Sequence, residues 1–168
     1  MLNFLIKPLE ASDWERVKEI YLEGLATGDA TFETKAPTQI DWDNGHLRCC
    51  RIAAVEMPAT QLVGWAALSP VSVREAYKGV SEVSVYVAAS ARGKGVGRAL
   101  LQRLIEEANG NQIWTLQASI FPENVPSLML HESLGFRTVG HRERIAKLNG
   151  VWRDTVVLER RSDVVGLD

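Results

Sequence analysis

Apolar positions in this chain recur with two periods, and the switches between them outline its elements. Phe4–Ile6 forms a short apolar strand. Ser12-Asp-Trp-Glu15 has capping-box spacing, and Val17, Ile20, Tyr21 and Leu25 then fall on one stripe of a helix running to about Thr27. A polar loop, Gly28–Glu33, carries one large aromatic, Phe32, and Pro37-Thr38 starts a short second helix to about Leu47. Arg51–Val55 and Leu62–Leu68 read as an antiparallel pair turning near Pro58. After the Ser69–Lys78 loop comes a valine-rich strand, Val80–Val87, and then a helix, Val96–Ala108, with Val96, Leu100, Leu101, Leu104 and Ile105 on one side. Trp114–Ser119 is a strand, and Pro126–Leu134 is a helix stopped by Gly135. Arg137–Ala146 and Val151–Arg160 flank Asn149-Gly150, a strong signal for a tight hairpin turn.

An antiparallel front half followed by βαβ-like crossovers predicts one α+β, or mixed α/β, domain around a single sheet. That domain covers residues 1–161, and Ser162–Asp168 reads as a loose tail. The length of 168 residues suits one core, and 46% hydrophobic with 24% charged residues is ordinary for a globular protein. A net charge of −2 supplies no overall positive field, which disfavours nucleic acid as a partner. No apolar run is long enough for a membrane span, and Met1–Leu9 has no signal-peptide core. Cys49 and Cys50 are adjacent, without zinc-site spacing, and read as reduced strand residues. The expectation is a cytoplasmic protein.

The segment from Val85 to Arg98 runs from a strand through a short loop into a helix. Gly93, Gly95 and Gly97 let the backbone turn sharply and approach a ligand, with free helix N–H groups pointing outward. Arg92, Lys94 and Arg98 add positive charge, which suits a phosphate or pyrophosphate. Gly93-Lys94 is followed by Gly95, so the hydroxyl that binds magnesium in a P-loop is missing. Gly-x-Gly-x-Gly in mid-chain also departs from the dinucleotide fingerprint.

Arg92-Gly-Lys-Gly95-Val-Gly97 resembles the Arg/Gln-x-x-Gly-x-Gly/Ala signature of the GNAT superfamily of N-acetyltransferases, and the order of elements fits that fold along almost the whole chain. Asn124-x-x-Ser127-x-x-Leu130-His131-x-x-x-Gly135-Phe136 is similar to the superfamily's second cofactor-side segment. The resemblance implies one acyl-CoA N-acyltransferase domain, a mixed, mostly antiparallel sheet flanked by helices. It implies that the loop binds the pyrophosphate of acetyl-CoA and that Asn124 contacts the pantetheine arm. The implied cofactor-binding set is Val85, Tyr86, Val87, Arg92, Gly93, Lys94, Gly95, Val96, Gly97, Arg98, Asn124 and Ser127. Ala30–Glu33, Val63–Ala66 and Asn149–Asp154 are similar to the phosphinothricin and methionine sulfoximine (or sulfone) N-acetyltransferases. That narrower resemblance implies acetyl transfer to the α-amino group of a small amino-acid analogue, in a homodimer.

Alternation along the valine-rich strand puts Glu82, Ser84 and Tyr86 on one face. An acceptor amine is mostly protonated near neutral pH, so its attack on a thioester needs a base. Glu82 is the candidate, acting through a water, or else a half-exposed strand glutamate. The Val87 N–H is the candidate oxyanion donor where the strand is splayed. His131 is either the general acid or a packing histidine, and Tyr86 is the fallback acid. Arg74 is either a clamp for the acceptor's carboxylate or a surface partner of Glu75. Phe32 walls an acceptor pocket or plugs the core, and Glu33 reads a polar group. The acceptor set is therefore Thr31, Phe32, Glu33, Arg74, Glu82 and Ser84. Trp65 reads as core, and neither His46 nor His141 has a metal-site arrangement, so no metal is assigned. A peptide or other amine acceptor, and a non-catalytic CoA-binding module, remain as alternatives.

Overall fold

The computed structural model describes residues 3–168. In chain order the elements are β1 (Phe4–Pro8), α1 (Trp14–Leu25), α2 (Gln39–Gly45), β2 (Ile52–Glu56), β3 (Gln61–Pro70), β4 (Val80–Val87), α3 (Val96–Gly110), β5 (Thr115–Ile120), α4 (Val125–Glu132), β6 (Arg137–Leu148) and β7 (Val151–Arg161). All seven strands join one sheet in the order β1-β2-β3-β4-β5-β7-β6. Every pairing is antiparallel except β4 with β5, the parallel pair that α3 connects. This is the mixed α/β architecture that the pattern of apolar positions predicts.

Two amphipathic helices cover opposite faces of the sheet. Trp65 of β3 lies opposite Tyr86 of β4 in the register, and both pack with Tyr21 of α1. The neighbouring pair, Gly64 and Val87, must point the other way. There a Cβ on Gly64 would sit 2.9 Å from Leu100 of α3, so only glycine allows that helix to approach so closely. Val17 and Ile20 of α1, and Leu100, Leu101 and Leu104 of α3, are fully buried. Burying a side chain of this size contributes about 1.5–3 kcal/mol each.

Several local expectations need correction. The reciprocal bond at the entry to α1 is made by Asp13, which accepts the Glu10 N–H at 2.9 Å and Lys7 Nζ at 2.7 Å; Ser12 does not cap. Cys49 and Cys50 are free thiols but not strand residues: they lie in the bend before β2, where Cys50 has φ +59°, outside the extended region. At the start of the C-terminal tail, one residue is held firmly by the domain. Ser162 is buried, its hydroxyl donates to Asn109 Oδ1 at 2.8 Å, and it accepts the N–H groups of Val164 and Val165. No described helix is long and apolar enough to cross a membrane.

Candidate active site

The site begins where two strands part. β4 and β5 pair only from Val80↔Thr115 to Glu82↔Gln117, although β4 continues to Val87 and β5 to Ile120. Ala88 donates to the Val63 carbonyl at 2.8 Å, which fixes the parity of the ladder: even-numbered residues of β4 bond to β3, and odd-numbered ones face β5. Beyond the last rung the N–H groups of Val85 and Val87 therefore point into a wedge with no strand opposite. At its closed end Gln117 Nε2 donates to Glu82 Oε2 at 3.2 Å. Glu82 and Ser84 are half-buried on the face they share with Tyr86.

The open end of β4 runs into the glycine loop. Gly93 and Gly95 have φ +71° and +87°, with no atom within 4 Å of where a Cβ would lie. Ala99 makes the first helical bond of α3, to the Gly95 carbonyl at 3.1 Å, so the preceding N–H groups lack helical partners. Residues 92–95 are exposed, and so is Arg98. This concave, donor-rich turn fits a pyrophosphate. The two arginines also serve the scaffold: Arg92 Nε donates to the Val87 carbonyl at 3.1 Å, and Arg98 Nη1 to Ser133 Oγ at 2.7 Å. Glu23 of α1 had no sequence signal, yet its Oε2 accepts the Ala89 N–H at 2.5 Å and holds the start of the loop.

The loop after α1 forms the other wall. Thr31 Oγ1 accepts the Glu33 N–H at 3.2 Å, which shapes the turn. Phe32 meets Phe121 edge-to-face at 4.8 Å, and Phe121 follows β5 directly. Asn124 caps α4 by accepting the Ser127 N–H at 3.3 Å, and its amide donates to the Asp29 carbonyl at 3.1 Å. It thus joins the start of α4 to the loop after α1. Arg74 lies apart on the exposed β3–β4 loop, its guanidinium 5.4 Å above the Tyr77 ring. Glu75 pairs with Lys78 instead of Arg74.

The two acid candidates differ in protonation. Burial pushes the Tyr86 phenol up, so it keeps its proton throughout the neutral range. Burial pushes His131 down from its ordinary value, only partly opposed by its bond to the Ser127 carbonyl. Because that carbonyl only accepts, Nδ1 carries the hydrogen of this 2.7 Å bond, and neutral His131 has a bare Nε2. Its ring packs edge-to-face on Phe136 at 5.0 Å. Trp65 is buried core. His46 donates to the Trp42 carbonyl at 2.7 Å, and His141 bonds Asp154 at 2.9 Å. Among the described residues no three His, Cys, Asp or Glu side chains are grouped as a metal site.

Residues 14–136 match the acetyltransferase (GNAT) family. A phosphinothricin N-acetyltransferase of Alcaligenes faecalis is 31% identical over 162 residues, covering 92% of this chain and 81% of that protein. An L-methionine sulfoximine/L-methionine sulfone acetyltransferase of Pseudomonas paraeruginosa is 34% identical over 105 residues, 62% of this chain and 61% of that protein. A GNAT superfamily phosphinothricin acetyltransferase from Sinorhizobium meliloti, solved in complex with acetyl-CoA, has a TM-score of 0.83 at 27% identity, covering 98% of this chain and 96% of that one.

Proposed function

This chain belongs to the acetyltransferase (GNAT) family and uses acetyl-CoA, and on that premise we propose that its acceptor is the α-amino group of a small amino-acid analogue of the phosphinothricin or methionine sulfoximine kind. The observation that carries the reading is the parting of β4 from β5. It sets Glu82 at the closed end, unpaired N–H groups along one wall and an anion-binding turn at the mouth, an order that matches an acceptor, a thioester and a pyrophosphate.

The glycine turn and the α3 N-terminus hold the pyrophosphate, with Lys94 adding charge. Glu82, steadied by Gln117, takes the amine proton through a water. The N–H groups of Val85 and Val87 receive the negative charge that develops on the carbonyl oxygen as nitrogen attacks, and such donors are worth about 3–4 kcal/mol each. As the C–S bond breaks, Tyr86, the one acid candidate with a proton to donate at neutral pH, donates a hydrogen bond to the departing thiolate, and the proton drawn from the amine by Glu82 and its water is the one the thiol finally keeps. Thr31, Phe32 and Glu33 shape the acceptor side, next to Ser84. Arg74 is free of Glu75, and to clamp the acceptor's carboxylate it swings in from its place over Tyr77 on the β3–β4 loop.

We assign the active form to a cytoplasmic homodimer. β6 forms an edge of the sheet, and the hairpin exposes Val139, Ile145, Val151 and Trp152, apolar side chains that a second copy would cover. Sedimentation equilibrium tests this assembly, and a monomer at micromolar concentration would refute it. For the acceptor, thiol release from acetyl-CoA is measured with phosphinothricin, methionine sulfoximine, methionine sulfone, ordinary amino acids and short peptides. Release with the analogues supports the reading, and release with peptides alone refutes it.

A further inference from the structure

One guanidinium on β7 ties together three segments far apart in sequence. Arg153 Nη1 donates to the Gly28 carbonyl at 2.9 Å, and Nη2 donates to Asp29 Oδ1 at 2.9 Å and Glu123 Oε2 at 3.2 Å. Its Cζ lies 4.1 Å from the centre of the Phe121 ring, and its side chain is only 16% exposed. Phe121 in turn is the edge-to-face partner of Phe32. Asn124 grips the same stretch through the Asp29 carbonyl. The Gly28–Glu33 loop has no regular secondary structure. Its anchorage therefore rests on side chains from β7 and the β5–α4 turn.

From this we infer that Arg153 is a positioning residue for the acceptor: by fixing Gly28 and Asp29 and capping Phe121, it sets where Thr31, Phe32 and Glu33 stand beside the β4–β5 wedge. The inference rests on the reading of that loop as the acceptor wall. The fork matters as well as the charge. Two parallel donors, reaching a carbonyl and a carboxylate together, are geometry that lysine cannot reproduce. Both carboxylate side chains are exposed, Asp29 at 44% and Glu123 at 58%, so the fork serves to set geometry more than to add ion-pair energy.

The test compares Arg153→Gln and Arg153→Lys with the unmodified protein, using acetyl-CoA and methionine sulfone. Arg153→Gln is expected to raise the acceptor KM about 30-fold, the scale of a small misplacement in a reactive pair, while the acetyl-CoA KM stays within about twofold. Lysine is expected to recover only a small part. Added guanidinium ion at millimolar concentration should lower the acceptor KM of a third variant, Arg153→Ala, which leaves room for it. Amide exchange should quicken in residues 28–33 of the glutamine variant and remain unchanged in α3. An unaltered acceptor KM overturns the inference, as does an equal rise in both KM values with faster exchange throughout the sheet. If the unmodified protein acetylates none of the analogues, the acceptor reading fails by itself, and exchange at residues 28–33 still decides whether Arg153 positions the loop.

Discussion

Glu82 and Gln117 occupy the last rung of the parallel β4–β5 ladder, and the Gln117 amide holds one carboxylate oxygen of Glu82 at 3.2 Å. The bond fixes the carboxylate where the strands separate, leaving its second oxygen for a water. Gln117→Leu removes the hydrogen bond while keeping the strand apolar and of similar volume. It is expected to lower kcat about tenfold, a fraction of what a general base contributes, with little change in acetyl-CoA KM. Steady-state kinetics with both substrates varied checks this, and an unchanged kcat would dismiss the orienting role.

At the other end of the wedge, Gly95 precedes α3 with φ +87° and open space around it. A Cβ there meets no atom, so the effect of Gly95→Val is backbone strain of about 1–2 kcal/mol and an obstructed anion site. The acetyl-CoA KM should rise about tenfold or more, because a loop that relaxes out of the left-handed conformation no longer aims its N–H groups at the anion, and about 1.4 kcal/mol of lost binding is tenfold. Calorimetric titration of CoA reads it directly.

His46 and His131 are both pushed below the ordinary imidazole value, chiefly by burial. The unfolded chain therefore binds more protons than the folded one between the lowered pKa and about 6.5. Stability from these groups is complete above about pH 6.5 and is lost as pH falls below it. Melting curves at pH 7.5 and 5.5 should show a lower Tm at the acid end, by about 3 °C for each kcal/mol lost. His131→Gln should flatten that dependence, whatever it does to Tm at pH 7.5. A slope identical to that of the unmodified protein would contradict this linkage.

Gly79 packs so tightly on Trp114 that a Cβ would lie 2.1 Å from the indole ring. Gly79 also accepts the Trp114 N–H at 2.8 Å, so neither partner can withdraw freely. Gly79→Ala is expected to destabilise the fold by about 2–3 kcal/mol, the usual range for overpacking a buried site. Urea denaturation measures it through the midpoint.

What could be read from the sequence was what local chemistry determines. The Asn149-Gly150 hairpin turn has both residues at positive φ, as a turn of that composition requires. The helix after the glycine loop follows from the spacing of Val96, Leu100, Leu101 and Leu104, all buried. Glu82, Ser84 and Tyr86 share a face because alternation is a property of any strand. The errors have local causes too. Cys50 adopts a left-handed backbone that apolar composition does not signal, and Asp13 competes successfully with Ser12 for the helix entry. Contacts across long sequence separations left no trace in the pattern. Gln117 could be matched to Glu82 only once the register was known, and Arg153 reaches Gly28 from 125 residues away. His131 was chemically suited to donate a proton, and only its burial and its bond to the Ser127 carbonyl show which nitrogen carries hydrogen.

The central claim is that the chain acetylates the amine of a small amino-acid analogue, with Glu82 as base in the β4–β5 wedge. Its most direct test is the turnover of Glu82→Gln with saturating methionine sulfone and acetyl-CoA, alongside the Kd for acetyl-CoA. The amide keeps the size and the hydrogen-bonding reach of the side chain but takes no proton. A fall in kcat of about 100-fold, with acetyl-CoA affinity unchanged, is the predicted result. Full turnover in the variant would contradict it.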